Sequence, residues 1–157
     1  MNSNEELSSE QMRHVYMLRF AIRGFTMSGK LLIVDDKKIN RFMLNGIFEG
    51  LYEVLEAEQG RQAIEIIEQE TENIAAILLD LVMPQVDGFA VLEHMKQKEL
   101  LAKIPVILVT VNDADDVINK AYEYEIADYI QKPFQPDIIK RKVSKVITSY
   151  QQRNSNS

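Results

Sequence analysis

Four segments of this sequence run into side chains that could do chemistry. LLIV (31–34) leads into Asp35 and Asp36, and IAAILL (74–79) into Asp80. PVILV (105–109) leads into Thr110, and ADYIQ (127–131) into Lys132 and Pro133. Three carboxylates gathered at one spot repel each other, and their ionised forms coexist cheaply only around a cation. A hard divalent ion with oxygen ligands meets that need; Mg2+ suits one or two carboxylates plus several waters. An ammonium and a hydroxyl beside it suit a phosphoryl group: Lys132 would neutralise its oxygens and Thr110 would donate to one of them. A carboxylate can itself be the nucleophile, giving an aspartyl phosphate.

Taken singly, each residue has a plainer reading. An Asp at a strand end commonly caps a helix or forms a turn. Thr110 alone is a β-branched strand residue, and Lys132 alone a solvated surface lysine. Their joint placement at four strand ends is what favours chemistry.

The elements that must position them alternate regularly from Lys30 onward. Strands are expected at 31–34, 52–57, 74–80, 104–110 and 127–131, and helices at 38–50, 60–70, 87–98, 113–125 and 136–150. In the first helix Ile39, Phe42, Met43 and Ile47 recur at helical spacing, and Gly50 supplies a stop. Gly88 is expected to give the turn after Asp80 its backbone freedom. The inner strands show no polar alternation, so both faces should be covered by helices. This is an α/β chain with a doubly wound parallel sheet. In such sheets ligands bind beyond the carboxyl ends of the strands, which brings Asp35, Asp36, Asp80, Thr110 and Lys132 to one edge.

Composition is that of an ordinary globular domain, 46% hydrophobic and 27% charged over 157 residues. Charge is uneven: residues 31–139 carry 9 Lys/Arg against 21 Asp/Glu, a net of −12, whereas 140–157 carry 5 basic and no acidic groups. An acidic body argues against direct nucleic-acid binding. No cysteine is present, which excludes disulfides and thiolate metal sites and is compatible with a reducing cytosol. No uncharged apolar run reaches the roughly 18 residues of a membrane span.

Three regions are expected: an N-terminal extension (1–28), the α/β domain (29–150) and a disordered tail (151–157). The extension begins with a polar stretch, then offers Val15, Leu18, Ile22 and Phe25 on one side of a helical wheel. Arg13, Arg19 and Arg23 lie opposite. It reads either as a docking arm or as a leader without a role. His14 and His94 are expected at the surface.

LLIVDD (31–36), ILLDLVMPQVDG (77–88), VILVT (106–110) and DYIQKPF (128–134) together resemble the receiver domains of response regulators, in the order and spacing of that family. The resemblance covers about residues 29–150. It implies a flavodoxin-like sheet of order 2-1-3-4-5 with five helices, in a cytoplasmic, two-component signalling switch that turns over no external substrate. Asp80 then resembles the phospho-acceptor. Asp36 resembles the direct Mg2+ ligand, Asp35 a ligand through water, and Val82 a ligand through its backbone carbonyl. Thr110 and Tyr129 resemble the switch pair, and Lys132 the lysine that pairs with the phosphoryl group, followed by a cis peptide to Pro133. The implied partners are a sensor histidine kinase or phosphotransfer protein upstream. An output protein or domain would bind the face of the fourth helix, fifth strand and fifth helix, where Ile118, Tyr122 and Tyr124 are candidates, with the core as the alternative place for Ile118 and one of the tyrosines. That face also allows a phosphorylation-dependent homodimer. No membrane partner is implied.

The sequence departs from the family in one place and varies at two others. Val111 stands where a small residue is usual and would narrow access for phosphodonors. Val82 and Asn112 occupy variable positions flanking the site. An apolar Val82 places little polar character near an attacking water, so slow self-dephosphorylation is expected.

Three other readings fit the sequence less well. A degenerate receiver would act as a docking module without phosphate, but all five site residues are present. A haloacid-dehalogenase-type phosphatase needs Asp-x-Asp after its first strand, which is absent here. A flavodoxin-type flavin carrier needs a hydroxyl-rich phosphate loop, where this chain has Asp35-Asp36-Lys37-Lys38.

Overall fold

The computed structural model describes residues 10–11, 29–83, 87–111 and 115–157. The apolar runs form five strands: β1 (Lys30–Val34), β2 (Glu53–Ala57), β3 (Ile74–Leu79), β4 (Val106–Val111) and β5 (Asp128–Lys132). All pair in parallel, in the order β2-β1-β3-β4-β5. Parallel neighbours need a crossover between them, and a helix follows each strand. These are α1 (Lys38–Phe48), α2 (Gly60–Glu70), α3 (Gly88–Gln97), α4 (Asp115–Tyr122) and α5 (Pro136–Ser155).

Alternate residues of each strand point to opposite faces, so the sheet has two cores. Leu32, Val34, Ile77, Leu79, Val106 and Leu108 pack with Ala63 and Ile67 of α2, Val91, Leu92 and Met95 of α3, and Ala121 of α4. Leu31, Ile33, Ala76, Leu78, Ile107 and Val109 pack with Leu44 and Phe48 of α1 and with Ile139, Val143 and Ile147 of α5. The inner strands are therefore buried on both faces, as their unbroken apolar runs require.

Three expectations about the elements are corrected. The side of α1 carrying Ile39, Phe42 and Met43 faces solvent, with exposures of 61%, 73% and 49%, while Arg41, Leu44 and Phe48 are buried. Arg41 lies inside because its ion is paired. Its Nη1 donates to the Asp35 carbonyl at 2.8 Å, and Nε and Nη2 lie 3.6 Å from Glu56 and Glu58. The last helix does not stop at Tyr150; it runs through Ser155, because the Gln and Arg of the tail are good helix formers. The Asn156 N–H closes its end on the Arg153 carbonyl. His94 is not a surface residue: it sits between α2 and α3, its Nε2 3.3 Å from Glu68 Oε1.

The amphipathic reading of residues 12–28, with His14, lies outside the described residues. No helix of the described residues is long and apolar enough to cross a membrane.

Candidate functional site

Parallel pairing carries the strand ends to one edge. Asp35 and Asp36 follow β1, Asp80 follows β3, Thr110 lies near the end of β4, and Lys132 closes β5. The structure brings one carboxylate oxygen each of Asp35, Asp36 and Asp80 within 4.8 Å of one another. Lys132 reaches back across the sheet edge between two of them. Its Nζ is 2.8 Å from Asp35 Oδ2 and 3.4 Å from Asp80 Oδ2. Asp35, Asp80 and Thr110 are buried.

The acids are held differently. The Asp80 Oδ1 accepts from the Val82 N–H at 3.0 Å. Burial raises the Asp80 carboxyl above its ordinary value, opposed by the Val82 N–H and the Lys132 charge and aided by the Asp35 charge. Asp35 accepts from the Lys37 N–H at 2.9 Å and from the Asn40 amide at 3.2 and 3.0 Å, besides Lys132. Asp36 Oδ1 is buried and accepts no hydrogen bond from the described residues. A buried carboxylate oxygen without a donor is costly, and a cation resolves that cost. The donor set therefore fits a hard divalent ion, with Asp36 Oδ1 undonated and each Asp80 oxygen taken by one donor only.

Gly88 fixes the far side. A Cβ there would lie 2.6 Å from the Asp80 carbonyl oxygen and 2.7 Å from Leu81 Cα. The expectation of backbone freedom is thus replaced by one of space: only glycine lets the start of α3 press on the end of β3. Asp87 caps that helix by accepting from the Ala90 N–H at 3.1 Å.

Residues 31–144 match the profile of the response regulator receiver domain. The chain belongs to the response regulator receiver family. Among receiver relatives, a two-component response regulator of rice (Oryza sativa subsp. japonica) is 30% identical over 128 residues, covering 80% of this chain and 95% of that one. The sporulation initiation phosphotransferase F of Bacillus subtilis is 35% identical over 123 residues, covering 77% and 95%. The chemotaxis protein CheY of the same organism is 31% identical over 123 residues, covering 77% and 99%. In fold, the signal receiver domain of a putative Luxo repressor protein from Vibrio parahaemolyticus superposes with a TM-score of 0.76 at 23% identity, covering 82% and 97%. The chain is thus a receiver domain of the two-component, phosphorelay class, and the flavodoxin-like order 2-1-3-4-5 is the one observed.

The remaining receiver positions fall as follows. The Thr110 hydroxyl donates to the Val111 carbonyl at 3.2 Å and not to Asp80. Tyr129 pairs in register with Leu108, so it shares a sheet face with Thr110, two residues on. Its ring meets Tyr122 edge-on with centroids 6.5 Å apart, and Lys142 Nζ lies 5.5 Å from its centre. Lys132-Pro133 is cis. Val82 and Val111 are exposed beside the site, at 67% and 60%; Asn112 lies outside the described residues. Tyr122 is exposed and Ile118 half-buried, and Tyr124 is the tyrosine that packs inward, on Phe89 of α3 with Lys96 above its ring.

Sequence reasoning missed Asn40 and Arg41. An amide four residues after an acidic pair, in the first turn of a helix, was the available signal for Asn40. Nothing in the pattern distinguished Arg41 from a solvated arginine.

Proposed function

We propose that Asp80 accepts a phosphoryl group from a phosphohistidine of a sensor histidine kinase or phosphotransfer protein. Asp36 and Asp80 would hold Mg2+, with the Val82 carbonyl as a further ligand and Asp35 in contact through water. When bound, that ion supplies positive charge to the phosphoryl oxygens. An Asp80 oxygen attacks phosphorus as the P–N bond of the donor breaks, and the leaving imidazole keeps the electron pair. Lys132 moves from the Asp80 carboxylate to a phosphoryl oxygen and offsets the added charge. Thr110 exchanges its 3.2 Å bond to the Val111 carbonyl for a second phosphoryl oxygen. Tyr129, on the same sheet face, takes up the space that Thr110 leaves. The result biases an existing equilibrium at the α4-β5-α5 face, where an output partner or a second copy docks.

The observation that carries this reading is the bridging position of Lys132 between Asp35 and Asp80, with Asp36 Oδ1 undonated alongside. Beryllofluoride, a phosphoryl mimic, tests it. With Mg2+ it should shift the amide resonances of Asp80, Thr110 and Tyr129 in wild type and leave Asp80→Asn unchanged. A wild type that ignores it would sink the reading and leave a docking module that works without phosphate.

A further inference from the structure

Resting on the cation site just proposed, the geometry assigns Asn40 a role in it: we propose that Asn40 sets the choice of cation by keeping Asp35 out of the coordination sphere. A carboxylate offers about four lone-pair sites. At Asp35 three donors engage both oxygens, and the single Asn40 amide nitrogen spans the pair. Oδ1 accepts from the Lys37 N–H at 2.9 Å and from Asn40 Nδ2 at 3.2 Å. Oδ2 accepts from Asn40 Nδ2 at 3.0 Å and from Lys132 Nζ at 2.8 Å. Among the described residues, Asn40 is thus the one side chain that touches both oxygens. Asp36 Oδ1, by contrast, is buried without a donor from the described residues.

The three acids lie close enough to serve one ion, yet they are unequally engaged: Asp35 takes three donors, each Asp80 oxygen one, and Asp36 Oδ1 none from the described residues. Two carboxylates and several waters suit Mg2+, which demands near-octahedral geometry and dehydrates reluctantly. Ca2+ takes more oxygen ligands in looser geometry, and a third carboxylate would favour it. By spanning both Asp35 oxygens, Asn40 withholds that third carboxylate from direct coordination and leaves it only a contact through water. It is a positioning residue: its effect passes through Asp35.

The test is a titration of the full chain with MgCl2 and with CaCl2, followed by the amide shifts of Asp36 and Asp80. Asn40→Ala should raise the ratio of Ca2+ to Mg2+ affinity by about tenfold, the scale of one hydrogen bond to a charged group. Asn40→Ser, whose hydroxyl is too short to span both oxygens, should move it the same way and serves if the alanine variant does not fold. Asn45→Ala is the control, because Asn45 makes a like amide bond to Glu56 at 3.1 Å on the same helix but away from the site. It should leave the ratio unchanged. A purely structural role for Asn40 would weaken both ions alike; an unchanged ratio in folded Asn40 variants overturns this inference alone. A wild type that binds neither ion overturns the cation site and this inference together.

Discussion

Val82 stands in the open beside Asp80, 67% exposed while its N–H is given to the Asp80 carboxylate. An aspartyl phosphate is lost when water attacks in line, and a polar side chain next to it can orient that water. Valine cannot. We expect a long-lived phosphoryl group in wild type and a lifetime shortened by roughly tenfold in Val82→Asn, less than the full effect of a positioned general base. The decay of the phosphorylated band on a phosphate-affinity gel measures it; equal decay in both proteins would remove Val82 from the account. At this scale the sequence was informative about ends and silent about partners. Asp35, Asp36, Asp80, Thr110 and Lys132 could be read because each closes a strand. That Asp35 takes three donors and Asp36 Oδ1 none depends on which way Asn40 and Lys132 reach, and spacing carries no such information.

Among the elements, α1 shows where pattern reading fails. Ile39, Phe42 and Met43 have the spacing of a buried face, yet Arg41, Leu44 and Phe48 are the residues inside. Two stripes competed on that helix, and the one containing arginine won. The Asp35 carbonyl, Glu56 and Glu58 give the guanidinium partners that a sequence window does not contain. Phe48→Ala should cost about 3 to 5 kcal/mol in urea unfolding, the usual range for emptying a buried aromatic site. Phe42→Ala should change stability by no more than about 0.5 kcal/mol, as at an open surface. Comparable losses at the two positions would contradict the observed burial. The strands were easier to read. Their apolar runs are short, bounded and uninterrupted, a pattern that doubly covered parallel strands impose. The end of α5 was harder, because a polar tail without Gly or Pro can continue a helix or fray, and only the closure on Arg153 decides it.

For the molecule as a whole, folding concentrates like charge at one edge. Asp35, Asp36 and Asp80 are drawn together by the same β-pairing that builds the core, and Lys132 offsets part of the repulsion. A cation that binds only the folded chain stabilises it by mass action. Mg2+ at ten times its Kd should therefore add about 1.4 kcal/mol of stability and raise the melting temperature. Asp36→Asn should show a much smaller rise, read by circular dichroism with and without chelator. A melting temperature indifferent to Mg2+ in wild type would count against the site.

The sheet also finishes itself. Its two outer strands are β2 and β5, each five residues long. β2 carries Glu53 and Glu56, exposed, and β5 carries Asp128, Gln131 and Lys132. Short, charged border strands are poor templates for a further strand. Growth of this sheet by recruiting a neighbour's backbone is thereby discouraged at both borders. An encounter made through helix faces or the acidic rim can be undone, whereas a shared ladder of backbone bonds would hold.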